Sequence, residues 1–185
     1  MKKYFIVYKP FLLFLGKFLL TYLLLTFVYQ SYLGQFDANK NETDSFTIVV
    51  AKQTEDVLLL FNCDVKTVPN SKEPSEILYY NQKPIARIIE GCNALSVIIL
   101  FISFIIAFSG KIKPTVLYII SGSILIHILN IFRIALLCVL IYYYPKQQHF
   151  WHGVAFPLFI YGVVFVLWII WVNKFSNYAK KTVQS

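Results

Sequence analysis

Residues 116–144 read VLYIISGSILIHILNIFRIALLCVLIYYY. The stretch holds no acidic side chain, and its one basic side chain besides His127 is Arg133. A helix rises ~1.5 Å per residue, so about 20 apolar residues cross ~30 Å of hydrocarbon. This block is long enough to cross with a tilt. Three further apolar blocks flank it: residues 11–32, interrupted only by Lys17; residues 94–108, with Ser96 and Ser103; and residues 154–172. The composition agrees, because 58% of the 185 residues are hydrophobic and only 14% are charged, where a soluble domain carries about 25% charged residues. The expected fold is an all-α membrane protein, a four-transmembrane-helix bundle.

The basic residues set the orientation. Lys2, Lys3, Lys9, Lys17, Lys111, Lys113, Lys174, Lys180 and Lys181 fall on one side of a four-span arrangement. That side is expected to be cytoplasmic, with both termini on it. All nine acidic residues lie between spans one and two, which makes that segment the outer one, together with the loop at 145–153. The net charge of +8 raises nucleic acid as a partner. The cations flank apolar blocks instead of forming a basic patch, so the lipid bilayer is expected and nucleic acid is not. Lysines ahead of the first block give it the look of a signal peptide. It is too long for an apolar signal core and has no small-residue cleavage site, so a retained anchor is expected.

Four regions follow: an N-terminal anchor helix at 1–33, an extracytoplasmic loop region at 34–91, a three-helix membrane core at 92–173 and a cytoplasmic basic tail at 174–185. In the outer region, residues 45–61 have helical apolar spacing, with Asp44 or Thr43 as cap. Residues 69–71 and 73–75 are turn chemistry. Residues 77–80, 81–84 and 85–89 read as strand, turn, strand. The small region between spans one and two is therefore a helix plus a β-hairpin. With fewer than 60 residues its own core is marginal, so it is expected to pack on the helices.

Three polar features stand out in or beside the membrane. The first is Arg133. A charged group inside a span is costly and marks a functional site by default. It lies eleven residues before Tyr144, roughly 16 Å below the outer helix end. No Asp or Glu occurs in any span, so a thiolate or a developing oxyanion is its natural counter-charge. The plain alternative is a structural arginine that snorkels to lipid phosphate.

The second feature is Cys92, at the start of the second span. Unpaired N–H groups and the positive dipole end of a helix favour a thiolate there. Alone, such a cysteine is more often an inert small residue. Cys138 reads as a buried small hydrophobe. A Cys63–Cys92 disulfide is conceivable outside the membrane but is not expected, since it would consume the nucleophile.

The third is His152, ahead of the last span. A neutral imidazole can take a thiol proton and return it to a leaving amine. His149 can do the same. His127 shares a face of the third span with Asn130 and reads as a core histidine bonded to a carbonyl or a serine. The spacing matches no zinc pattern, so neither a metal nor a cofactor is expected. An outward-facing polar cavity, reached by tilt and by the length of the arginine side chain, is expected to gather Cys92, Arg133 and His152.

Glu90-Gly91-Cys92, Asn130-Ile131-Phe132-Arg133-Ile134, and His152 ahead of Tyr161-Gly162 and Phe165 occur in that order. In this the chain resembles the exosortase/archaeosortase family of membrane cysteine transpeptidases, and most of all its short exosortase F branch. The resemblance covers about residues 85–172. Many members carry a glycine soon after the cysteine, where this chain has Asn93-Ala94. The resemblance implies a bacterial inner-membrane enzyme with a periplasmic active site. Its partners would be secreted proteins whose C-terminal sorting signal has a short motif, an apolar helix and a basic tail. Cys92 would attack a peptide carbonyl to give a thioester, His152 would serve as base and then acid, and Arg133 would stabilise the oxyanion.

Two other readings stay open at this point. A non-enzymatic subunit of a secretion or envelope assembly system explains the spans but not a paired Arg and Cys. A transporter or haem-handling protein using His127, His149 and His152 would show metal or haem spectra.

Overall fold

The computed structural model describes residues 2–36, 41–108 and 110–175, with side chains from residue 8 onward. Most of the expected basic tail at 174–185 lies outside the described residues, as does Asp37. Among the described residues three helices are long and apolar enough to cross a membrane: Tyr8–Leu33, Ile112–Tyr143 and Pro145–Lys174. The first belongs to α1 (Lys2–Leu33) and the second is α4 (Ile112–Tyr143). The expected second span forms a shorter apolar helix, α3 (Leu95–Ala107), of 13 residues. Its length is about 20 Å, less than the hydrocarbon thickness.

The stretch at 145–153, expected as a loop, is helical. Tyr144 leaves α4 with φ −130 and ψ 60, and Pro145 opens a 3-10 turn over Pro145–Gln147. A proline at the first helical position loses no hydrogen bond, because that N–H has no intrahelical partner. The chain continues through the single turn α5 (Gln148–Phe150), a π-turn at Trp151–Ala155 and α6 (Phe156–Lys174).

Among the described residues three apolar clusters lie along α4, the smallest being Leu137, Ile141 and Phe156. The first joins α3, the N-terminal half of α4, and α6 through Phe101, Ile105, Ile126, Val164 and Trp171. A Cβ on Gly122 would lie 2.4 Å from the Phe101 ring, so the missing side chain is what lets α3 and α4 approach. The Tyr118 hydroxyl donates to the Leu167 carbonyl at 2.7 Å and ties α4 to α6. Phe14 of α1 packs on Phe104 and Phe108 of α3. Much of the rest of α1, including Leu20, Leu23 and Phe27, is exposed apolar surface of the kind lipid covers.

The second core surrounds the C-terminal half of α4. There Ile134, Ala135 and Cys138 meet Val50, Ala51 and Leu58 of α2 (Ser45–Leu60) and Leu78 and Ile88 of the sheet. Asp44 caps α2 by accepting from the Thr47 N–H at 2.9 Å, which satisfies one orphan donor of the first turn. The sheet runs β1 (Val65–Pro69), β2 (Glu76–Tyr80), β3 (Lys83–Ile88), all antiparallel, in that spatial order. Asn81 and Gln82 both have positive φ, 48 and 62, the two-residue turn whose twist suits a hairpin.

Strand β1 was not expected. Its alternating Val65-Lys66-Thr67-Val68 is short and runs directly into turn chemistry at Pro69. It is fixed from outside by Glu55 of α2, which accepts from the Thr67 N–H at 2.9 Å and from the Thr67 hydroxyl. Burial alone would raise the Glu55 carboxyl, but these bonds and the Lys52 ammonium hold it below its usual range.

Candidate active site

The chain between β3 and α3 is a tight turn, Glu90–Cys92, closed by the Cys92 N–H on the Ile89 carbonyl at 2.8 Å. Cys92 therefore stands before α3, not within its first turn. Asn93 follows, is 1% exposed and anchors the turn in three directions. Its Nδ2 donates to the Tyr29 hydroxyl at 3.2 Å and to Thr47 Oγ1 at 3.1 Å, while its Oδ1 accepts the Leu95 N–H at 2.9 Å. The Tyr29 hydroxyl in turn donates to Glu90 Oε1 at 2.9 Å. One buried amide thus locks α1, α2 and α3 around the cysteine turn. Ala94 then takes φ 63, the left-handed region. That geometry costs an alanine ~1–2 kcal/mol and is free to glycine.

Asn130 of α4 completes the frame. It is fully buried, and its Nδ2 donates to the Cys92 main-chain carbonyl at 2.7 Å. Its Oδ1 accepts from Arg133 Nη1 at 3.1 Å. Asn130 lies eighteen residues beyond Ile112, about 27 Å along the helix and close to a hydrocarbon thickness. The last turns of α4 belong to the core with α2 and the sheet, and Asn130 holds Arg133 beside the cysteine turn.

Cys92, Arg133 and His152 line one cavity of about 560 Å³, with β3 residues, Ile134, Leu137, Ile141 and Gln148 completing its walls. Cys92 and Arg133 are half-buried, whereas His152 is exposed. Among the described residues Arg133 has no carboxylate partner. Its Nε is buried without a hydrogen-bond acceptor, and its Nη1 donates to Asn130, the residue that also holds the Cys92 carbonyl. The cavity therefore contains a cation with unspent donors beside a thiol. His152 sits in the π-turn, not in a loop; such turns occur frequently at functional sites. No hydrogen bond joins the three side chains directly, and catalytic bonds are often loose before substrate arrives.

The other candidates lie elsewhere. His149 is not part of the cavity lining. His127 Nε2 bonds Gln53 Oε1 of α2 at 2.8 Å and packs on Phe46, so its partner is a side-chain amide from the outer helix. Cys138 is fully buried in the second core, and Cys63 receives the Tyr80 hydroxyl at 3.5 Å. Among the described residues no group of three or more His, Cys, Asp or Glu is placed to hold a metal ion. Sequence reasoning gave no role to Tyr29, Asn93 or Gln148. Only Asn93 carried a signal, as a polar residue beside the cysteine.

Against known proteins, the family model described as transmembrane exosortase matches residues 7–173. That span runs from the first helix to the last and includes Cys92, Arg133 and His152. Neither the curated proteins nor the solved structures contain a significant match.

Proposed function

The chain belongs to the transmembrane exosortase family, and on that premise we propose that it is a membrane cysteine peptidase or transpeptidase cutting the C-terminal sorting signal of secreted proteins. The observation that supports this best is Arg133. Its guanidinium lines a cavity shared with Cys92 and His152, and beyond Asn130 it lacks an acceptor among the described residues. A developing oxyanion supplies that acceptor. Preorganised donors of this kind stabilise the transition state because they need no reorganisation as charge develops.

His152 takes the Cys92 Sγ proton as sulfur bonds to the substrate carbonyl carbon, and the carbonyl electrons move to oxygen beside Arg133. The oxyanion collapses, the C–N bond breaks, and the imidazolium gives its proton to the leaving amine. A thioester remains. Water or a second amine adds to it with His152 again as base, and the C–S bond breaks to regenerate the thiol.

In this reading α3 is a fourth, short crossing, packed between α1, α4 and α6. The cavity opens to the periplasm, and both termini are in the cytoplasm of a bacterium. Lys111, Lys113 and Lys174 support this, since they lie at the end of the bundle opposite the acidic outer region. The substrate's apolar helix lies in the bilayer beside the bundle.

The test is processing. The chain is produced with secreted proteins that carry a motif, an apolar helix and a basic tail at the C-terminus, and their truncation is followed by mass spectrometry. Cys92→Ala should abolish truncation, while Cys63→Ala and Cys138→Ala retain it. Normal truncation by Cys92→Ala overturns the proposal and favours a non-enzymatic subunit.

A further inference from the structure

Strand β3 pairs with β2 on one side only, which leaves its second edge open. Among the described residues no main-chain bond satisfies that edge. Open edges invite pairing with other chains and are usually blunted by proline, lysine or cover. Here the blunting sits at the turn end, in Lys83 and Pro84. From Ile85 to Ile88 the edge carries one charged side chain, Arg87, which is paired with Glu73, and this half forms a wall of the cavity that holds Cys92. The adjoining wall is apolar, built from Ile134, Leu137 and Ile141 of α4, on which the β3 side chains Ile85 and Ile88 pack. One wall therefore offers peptide hydrogen bonds and the other offers hydrophobic contact, in the cavity that Cys92 lines.

We propose that the substrate binds as an added strand on the open edge of β3. An extended segment of about four residues, ~13 Å long at ~3.3 Å per residue, would run along Ile85–Ile88 and present its next carbonyl to Cys92. This rests on the reading of Cys92 as nucleophile and names how its substrate is held. A peptide bond is attacked only in an extended, unfolded segment, and strand addition supplies such a segment with affinity through its main chain. Side chains at alternate positions then face the apolar α4 wall, so the recognition motif prefers apolar residues at every second position. The substrate's apolar helix follows the scissile bond into the bilayer. The segment ahead of that bond therefore descends in the direction of β3, and the pairing is parallel.

The substrate motif is not needed for the test. Acetylated tetrapeptide vinyl sulfones, randomised at every side chain, are added to the full chain in detergent. The Cys92 sulfur adds to the terminal vinyl carbon and the neighbouring carbon takes a proton, with no leaving group. Four further mixtures each carry one methylated backbone nitrogen, and iodoacetamide serves as a small control. Labelling of Cys92, Cys63 and Cys138 is read by peptide mass spectrometry. Methylation at one alternate pair of nitrogens should slow Cys92 labelling about fivefold or more, the order of one lost hydrogen bond, and at the intervening pair hardly at all. Equal effects at all four positions, or no effect at any, overturn strand addition. So does a chain whose Cys92 reacts with iodoacetamide but with none of the peptide mixtures. If Cys92 reacts with no probe while Cys63 does, the nucleophile assignment itself falls, and strand addition falls with it.

Discussion

The side-chain amide of Asn130 donates to the main-chain carbonyl of Cys92 at 2.7 Å. The same amide accepts from Arg133 at 3.1 Å. A single buried side chain thus sets the distance between the thiol turn and the guanidinium. Asn130→Ala leaves the Cys92 carbonyl without its donor and frees the arginine. It should cost ~1–3 kcal/mol of stability, read by thermal unfolding in detergent. Truncation of secreted substrates should fall about 100-fold, the order expected when a catalytic group moves by ~1 Å. An active Asn130→Ala would show that the cysteine turn holds its place without α4.

The second anchor of the turn is Tyr29, whose hydroxyl lies between Glu90 and Asn93. Tyr29→Phe keeps the ring and removes both bonds. The expected loss is ~1–2 kcal/mol, with α1 loosened from α3. Limited proteolysis in the segment between α1 and α2 should accelerate in this variant and not in Tyr22→Phe.

Gly122 and Gly16 make a matched pair. A methyl on Gly122 would meet the Phe101 ring at 2.4 Å, whereas Gly16 has nothing within 4 Å. Gly122→Ala should destabilise by ~1–3 kcal/mol through overpacking at the α3–α4 contact. Gly16→Ala should leave the unfolding temperature in place or raise it, because alanine is the better helix former. Equal behaviour of the two variants would mean that the α3–α4 contact is looser than described.

Glu76 on β2 is 5% exposed, and burial raises its carboxyl above the usual value of 4.5. A raised value means that the folded state favours the protonated form. The stability this group contributes is full below about pH 4.5 and is lost as pH rises through the folded value. Glu76→Gln is neutral at every pH, so it should be the more stable protein at pH 7. The two unfolding temperatures should converge near pH 4. A gap that widens towards acid would reverse the sign and contradict burial as the cause.

Much of this arrangement is legible in the residue order, and the parts that are not share a cause. Apolar blocks, the Asp44 cap and the Asn81-Gln82 hairpin are local signals, and each appears close to its expected place. Cys92, Arg133 and His152 stand out because a charge or a titratable group beside an apolar block is expensive. The packing of the last turns of α4 does not follow, since a hydropathic run does not reveal which turns face lipid and which face protein. The outer half of α4 is as apolar as the inner half but packs on α2 and the sheet. Strand β1 is set by Glu55 from another element, and the helical turns over Pro145–Ala155 depend on the chain reversing at Tyr144. Both are tertiary effects that no local window contains.

The central claim is that Cys92 carries the acyl group, and trapping it is the most direct measurement. The full chain is produced with its secreted substrates, quenched in acid, digested and searched for adducts by mass spectrometry. The account predicts a thioester on the Cys92 peptide whose added mass is that of the substrate peptide ending at the new C-terminus, less one water. Hydroxylamine should release it, and Arg133→Gln should remove it. A hydroxylamine-sensitive adduct on Cys63, or substrate truncation that continues with Cys92 replaced by alanine, would contradict it.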